Sequence, residues 1–491
     1  MTPLPASVEA TSRMGWRPRP IQAAAIVLAG TLCFHLAMAF PGPQAILLIG
    51  GGWIPALLTL RLANTARQAF YPGVLAGFSV FVPYTLFFWQ LFPWVAVVLW
   101  ALLALWHGIF AAALRGVHRR YGNGWGLIAA PFLWTGLEYL RAEVWPLRFT
   151  WLTLGSAAGH APAVWPVMGV YGWSFLGVAI GAALIGPVLN PGKLGSRLFA
   201  LAALGFLAIS PYLSHRPAPP PAHRHVKIAG LQLEFPSTPE VIGALGESLE
   251  THPDTELFVL SEYTFTGEVP ESIRQWCQRH RRWMVVGGRA PAVTEPTPTT
   301  WSLLAHGTFK TTQDFRNTVY VVDTNGAVVF TQAKSQPIQF LDDGLPASKQ
   351  TLWESPWGRI GIAICYDASY RRVMDRLVAL GAEALILPAM DVVEWGATEH
   401  RMNALQSELR ALEYRIPIVR VASSGISQYL PVDATGLKTP IGAGNILFCD
   451  LLIPDSPKTY IPWDRYGAPS CSVLACLIIL SLTFRYPSRV P

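Results

Sequence analysis

Long apolar runs fill the first part of the chain, at 21–40, 44–60, 70–92, 94–114, 125–140, 163–189 and 198–214, and one more lies at 470–484. A helix rising about 1.5 Å per residue needs roughly 20 such residues to cross the hydrocarbon core of a bilayer. The pattern therefore predicts about eight crossings, seven before a more polar stretch and one after it. The first run follows Arg13, Arg17 and Arg19 in the manner of a signal peptide, but the repeated runs behind it argue for a retained helix. From 226 the texture changes to short β-like runs alternating with helical ones, which predicts a layered α/β domain. Between the two textures lies HRPAPPPAHRH, residues 215–225, whose prolines favour an extended spacer. The expected organisation is a transmembrane helical domain at 1–214, a linker at 215–225, an extracytoplasmic domain at 226–465 and a last membrane helix at 470–484.

Charge sets the expected orientation. With the N-terminus in the cytoplasm, Arg13, Arg17, Arg19, Arg61, Arg67, Arg115, Arg119, Arg120, Lys193, Arg197, Arg485 and Arg489 all fall on the inner side. Only Arg141 and Arg148 fall in a short outer loop. That asymmetry follows the positive-inside rule and turns the α/β domain outward, which in a Gram-negative bacterium is the periplasm. Trp94, Trp145, Trp151 and Trp165 lie near outer boundaries and read as interfacial anchors or as ordinary packing.

Composition agrees, since only 14% of the residues are charged and the mean hydropathy is +0.34, against about 25% charged in soluble domains. The net charge of +7 sits between apolar segments, which is topology; no nucleic-acid-binding motif accompanies it. Six cysteines without a C-x-x-C pair indicate neither a disulfide framework nor a zinc site. Cys277 and Cys449 are the pair an oxidising compartment would allow, while Cys33, Cys471 and Cys476 lie in membrane runs as packing residues. Histidines lack metal spacing and no phosphate-binding glycine loop occurs, so no metal or cofactor is expected.

Three strand ends carry candidate chemistry. TELFVLSE at 255–262 ends in Glu262, AVVFTQAK at 327–334 ends in Lys334, and WGRIGIAICYD at 357–367 delivers Cys365 where a strand gives way to a helical stretch. A thiol there has an exposed-nucleophile geometry. A free thiol of pKa about 8.5 is mostly protonated at neutral pH, so the chemistry needs a base, Glu262, and a cation, Lys334, that lowers the thiol pKa and holds an oxyanion. Each residue alone reads as a buried thiol or a solvated charge; the three together point to acyl transfer through a thioester.

These motifs resemble the nitrilase superfamily, and in particular its membrane-embedded apolipoprotein N-acyltransferases. The resemblance runs over nearly the whole chain, through FLWTGLEYLRAEVWPLRFTWLTLGS and PVMGVYGWSFLGVAIGAAL in the membrane half. In the polar half it runs through SEYTFTG, QAKSQPIQFLDD, IAICYD, HRMNALQSELRALEYRIPIVRVASSGIS and YIPWDRYGAPS. It implies a multi-helix transmembrane bundle joined to an αββα nitrilase sandwich, with Glu262, Lys334 and Cys365 as base, oxyanion lysine and nucleophile. It further implies a phospholipid acyl donor, an amine or lipoprotein acceptor, and residence in the bacterial inner membrane. The relatives carry Glu eight residues after the lysine and two after the cysteine, where this chain has Asp342 and Asp367. With IQFLDDG and Ser423–Gly425, these departures resemble conjugal transfer proteins of bacterial plasmids, implying conjugation-apparatus partners.

Around the three residues, Asp342 is expected to position the acceptor or to cap a turn. Tyr366 and Asp367 border the acyl oxygen, or Asp367 caps the helix that follows. Trp395 reads as a lid or lipid-facing aromatic, and His400 as a second base or a helix-start residue. Arg410 and Glu413, three apart, read as a structural ion pair. The expected function is a membrane thiol acyltransferase. The alternatives are a membrane-anchored amidase and a non-catalytic component of a conjugative apparatus.

Overall fold

The computed structural model describes residues 20–40, 45–158, 165–190, 192–209, 221–222, 224–292, 315–339, 341–432, 435–455 and 463–483. Of the expected spacer at 215–225, only 221, 222, 224 and 225 are among them, and Arg13, Arg17, Arg19, Arg485 and Arg489 lie outside. The membrane half contains α1 (Pro20–Ala39), α2 (Ala45–Leu62), α3 (Ala66–Thr85), α4 (Phe87–Leu91), α5 (Pro93–Tyr121), α6 (Asn123–Tyr139), α7 (Trp165–Leu189) and α8 (Leu194–Ile209). The polar half runs β1 (Arg224–Leu231), α9 (Thr238–Thr251), β2 (Leu257–Leu260), α10 (Glu271–His280), β3 (Trp283–Pro291), β4 (Phe315–Val322), β5 (Val328–Ala333), β6 (Leu352–Ser355) and β7 (Gly358–Ile362). It continues through α11 (Arg371–Ala379), β8 (Ala384–Ala389), α12 (Gly396–Tyr414), β9 (Ile418–Ala422), β10 (Gln428–Leu430), β11 (Leu437–Lys438) and β12 (Ile446–Ile453), and α13 (Asp464–Thr483) follows.

Helices overlie all of the apolar runs. Among the described residues, α5, α7 from Val167 and α13 are long and apolar enough to cross a bilayer, whereas α1 and α8 present shorter apolar lengths. The third run is broken between α3 and α4 at Leu86. Pro93 opens α5, a position where its missing N–H costs nothing, and Gly122 at φ +89° ends it. The α3–α5 contact depends on small residues: a Cβ on Gly77 would lie 2.5 Å from Ala104 Cα. Such close backbone approach is how helices pack where lipid offers no hydrophobic drive.

Strand periodicity builds the sandwich. One sheet has the order β12-β1-β2-β3-β4-β5 and the other β11-β10-β9-β8-β7-β6, with parallel centres β1-β2-β3 and β7-β8-β9. Side chains alternate faces along a strand. Val226, Ile228, Leu257, Val259 and Val285 meet Ile360, Ile362, Ile386, Val419 and Val421 between the sheets. The alternate residues Leu231, Phe258, Leu260 and Met284 pack outward under α9 and α10, and Leu385 and Leu387 under α11 and α12. The layers are αββα. Cys449 lies between the sheets and Cys277 on the outer side of the first, so the two do not meet, and all six cysteines are free.

The sandwich sits directly on the bundle. At Gly169 (φ +65°) α7 breaks, and the freed amides are taken up by carboxylates from other elements. Val170 N donates to Glu413 Oε1 of α12 at 2.7 Å and Tyr171 N to Asp464 Oδ2 of α13 at 3.0 Å. A helix start leaves such N–H groups unsatisfied and favours anions. Glu413 also pairs with Arg410, and Asp464 with Arg371. Arg141 and Arg148, expected in an outer loop, are each only 3% exposed. Arg141 Nη1 donates to Phe149 O at 2.8 Å. Trp151 is buried too, its Nε1 donating to Ser369 Oγ at 3.0 Å, so it fastens the junction and is no interfacial anchor; Trp94 is exposed as an anchor would be.

Candidate active site

Glu262, Lys334 and Cys365 follow β2, β5 and β7, and the sandwich brings those three strand ends together. Lys334 Nζ lies 2.8 Å from Glu262 Oε1 and 2.7 Å from Asp343 Oδ2, with the lysine side chain fully buried. Glu262 Oε2 accepts from Met390 N at 2.9 Å, and Asn317 of β4 donates to both Glu262 and Asp343. Cys365 opens a short 3-10 turn, Cys365–Ser369, at φ +48°, a left-handed conformation rare for a residue with a Cβ. Strain of that kind persists where surrounding structure fixes it, and nucleophile turns are one such place. Its Sγ approaches Met390 O at 3.9 Å and receives Asn403 Nδ2 at 3.7 Å. Asn403 is held in turn by Asp391 Oδ1 at 2.6 Å, and Asp391 by Arg420 at 2.7 Å.

Lys334 is one cation between two carboxylates, and all three side chains are buried. Burial pushes the Cys365 thiol well up and the charge of Glu262 adds to this; Lys334 pulls the other way and loses. Lys334 acts on the thiol in the expected direction, but desolvation outweighs it. Burial likewise raises Glu262, with Asp343 adding and Lys334 opposing. Burial alone would lower Lys334, yet Asp343 and Glu262 together hold it well above its usual range. The resting arrangement is therefore a neutral thiol beside a charged lysine and a carboxylate able to receive a proton.

The remaining expected residues separate. Asp342 is exposed, while its neighbour Asp343 is the buried carboxylate on Lys334; it also accepts from Tyr263 OH at 2.9 Å and Ile338 N at 2.7 Å. Asp367 accepts from Ile364 N, Ser335 N and Gln336 N at 3.1, 3.1 and 2.6 Å, so it caps the cysteine turn and ties it to the loop after Lys334. Burial pushes its carboxyl up to about 6, against those amides. His400 Nε2 is bonded to Val392 O at 2.9 Å and fastens the 390–395 segment to α12. Tyr366 packs edge-on to Trp151 and Tyr370.

Tyr366 and Trp395 line a cleft together with Cys365. Its far wall is apolar and belongs to the membrane half: Phe87, Phe88, Leu91, Val95, Ala96 and Leu99 of α4 and α5. Asn317, Asp343, Asp391, Asn403 and Glu399 are not singled out by the sequence. Asp343 alone has a signal there, as the second carboxylate of the LDDG stretch.

Residues 32–183 match the family model of the apolipoprotein N-acyltransferase N-terminal domain, and 247–442 that of carbon-nitrogen hydrolase. The chain is 23% identical to an apolipoprotein N-acyltransferase of Geobacter metallireducens, over 94% of this chain and 95% of that protein. It is 25% identical to one of Gloeobacter violaceus, over 91% and 92%. A deaminated glutathione amidase of Yersinia enterocolitica is 27% identical over 25% of this chain and 42% of that one. Among solved structures, Saccharomyces cerevisiae Nit3 of the nitrilase superfamily aligns with a TM-score of 0.37 and 17% identity, over 47% of this chain and 91% of that one. A region matching the apolipoprotein N-acyltransferase N-terminal domain is thus followed by one matching carbon-nitrogen hydrolase, in a chain similar nearly end to end to apolipoprotein N-acyltransferases.

Proposed function

We propose that this protein is a thiol acyltransferase that takes an acyl group from a membrane phospholipid onto Cys365 and passes it to an amine, as on a lipoprotein N-terminus. The observation that carries the reading is the cleft: one wall holds Cys365 and the other is made of membrane helices. Ligand sites are mostly apolar clefts with few polar groups, and a thiol acting on a small soluble amide has no need of α4 and α5.

In the first half-reaction Cys365 gives its proton to Glu262 as sulfur attacks the ester carbonyl. Lys334 stands to hold the oxyanion. Collapse breaks the ester C–O bond, and the leaving lysophospholipid alkoxide takes the proton from Glu262, leaving a thioester. In the second half an amine attacks that thioester, the C–S bond breaks as C–N forms, and Cys365 regains a proton. Asp343 keeps Lys334 charged and placed, Asp367 holds the cysteine turn, and Trp395 lines the cleft. The basic loops support an inner-membrane protein with its N-terminus in the cytoplasm and the sandwich in the periplasm.

The test is mass spectrometry of the protein incubated with phospholipid vesicles, comparing wild type with Cys365→Ala. A hydroxylamine-sensitive acyl adduct on Cys365 alone is the expected result. A folded wild type that takes no adduct from any of several phospholipids overturns the donor, and with it the transferase reading.

A further inference from the structure

The proposed mechanism leaves one buried acid in the cleft unused. Glu399 is 3% exposed, lines the same cleft as Cys365, and has an Oε2 atom that makes no hydrogen bond. A buried polar atom without a partner costs free energy unless something arrives to satisfy it. It lies one helical turn before Asn403, and residues four apart share a helix face. Asn403 is the residue whose amide lies 3.7 Å from Cys365 Sγ, so the free carboxyl and the thiol face one space.

The charged groups around Glu399 do not neutralise it. Arg420 is turned to Asp391 at 2.7 Å, and Asp391 itself repels a second carboxylate. His400 Nε2 lies 3.9 Å from Glu399 Oε2, but its hydrogen bond goes to Val392 O. Burial first, and then Asp391, push the Glu399 carboxyl well above the usual range, with Arg420 opposing. Glu399 falls in the first turn of α12, where an acid favours the helix dipole. That role requires no burial in an apolar cleft.

We propose that Glu399 is the binding site and proton acceptor for the ammonium group of the acyl acceptor, a primary amine, in the second half-reaction; the inference rests on the transferase reading above. An incoming ammonium supplies the missing partner and holds Glu399 ionised. One proton then moves from nitrogen to the Glu399 carboxylate, and both products are neutral, as an apolar cleft favours. The freed amine attacks the thioester on Cys365; C–N forms, C–S breaks, and the second nitrogen proton reaches the thiolate through Glu262. The proton on Glu399 is released to water as the amide leaves, closing the balance at one amide, one thiol and one proton.

The experiment uses the full-length protein, acylated by phospholipid vesicles, and follows discharge of the Cys365 thioester by two probes. Octylamine arrives protonated at neutral pH and needs a base; hydroxylamine arrives uncharged and does not. In Glu399→Gln, discharge by octylamine is expected to fall ~100-fold, the scale of general-base catalysis, while the acyl adduct accumulates and hydroxylamine still clears it. Equal slowing of both probes, or of neither, overturns the proposal. Should the Gln variant fail to fold, Glu399→Leu removes the same carboxyl with an apolar residue. There, a fall in the octylamine-to-hydroxylamine ratio supports the role of Glu399 and an unchanged ratio overturns it. Absence of any adduct on the wild type would instead count against the transferase reading itself.

Discussion

Asp343 Oδ2 holds Lys334 Nζ at 2.7 Å, a contact as short as the one Lys334 makes with Glu262. Asp342, the aspartate expected from the sequence to serve the site, is exposed. Replacing Asp343 with Ala leaves Tyr263 OH and Asn317 Nδ2 short of an acceptor, and Lys334 with one carboxylate instead of two. Orphaning such groups costs about 1–3 kcal/mol each. Asp343→Ala is therefore expected to lower the thermal midpoint and to slow acylation of Cys365, whereas Asp342→Ala changes stability by less than about 1 kcal/mol, as surface charges do. Equal effects of the two substitutions, read by thermal unfolding in detergent, would remove Asp343 from the site.

In the proposed mechanism the pH dependence of acylation follows from Glu262. A base works only while ionised, and burial raises this carboxyl above the ordinary carboxylate range. The rate of acyl-adduct formation is thus expected to fall as pH drops through that raised value, at a higher pH than a solvated Glu, about 4.3, would give. Glu262→Gln should lose that limb and slow acylation by roughly 100-fold or more. An unchanged pH profile in the variant would mean that another group takes the thiol proton.

Much of this site is legible in the chain because Glu262 and Cys365 follow buried strands, and burial along LFVL or GIAI is a local pattern, whereas Lys334 follows the largely exposed β5. Asp343 is less legible. Which of two adjacent aspartates turns inward depends on the loop path past Gly344, at φ +79°, and on the hydrogen bond to Ile338 N. Arg141 and Arg148 look like loop charges, yet both are buried, Arg141 against Phe149 O and the Phe81 ring. Glu399 and Asn403 lie on one helix face in any case, but only docking against α4 and α5 tells which face meets the cleft. The break in α7 at Gly169 is hidden for the same reason: the carboxylates that cap it, Glu413 and Asp464, come from 243 and 293 residues further along.

Asp367 links pH to stability. Its carboxyl is raised to about 6 in the folded protein from an ordinary value near 3.8, so between those values the folded state binds more proton than the unfolded one. Stability contributed at this position is then greatest at low pH and declines as pH rises through the window from about 4 to 6. Asp367→Asn carries no ionisable group there. Its thermal midpoint relative to wild type should accordingly rise between pH 4 and pH 6.5, against a constant offset from its lost amide contacts. A wild-type-minus-variant difference that is flat across that window would show that Asp367 does not titrate there.

The last prediction separates the cleft from the thiol. Ala96 of α5 is buried and lines the same cleft as Cys365, and a phenyl ring at that position takes up space an acyl chain would need. Overpacking a buried position costs about 1–3 kcal/mol, so Ala96→Phe is expected to fold. Iodoacetamide is small and reaches the thiol without filling the cleft, so its rate of alkylating Cys365 should stay near that of wild type. Acylation from dipalmitoyl phospholipid should drop ~10-fold or more, the equivalent of about 1.4 kcal/mol of lost binding. If the bulky residue slows both reagents alike, it has disturbed the site as a whole. If it slows neither, the acyl chain reaches Cys365 by some route other than the wall formed by α4 and α5.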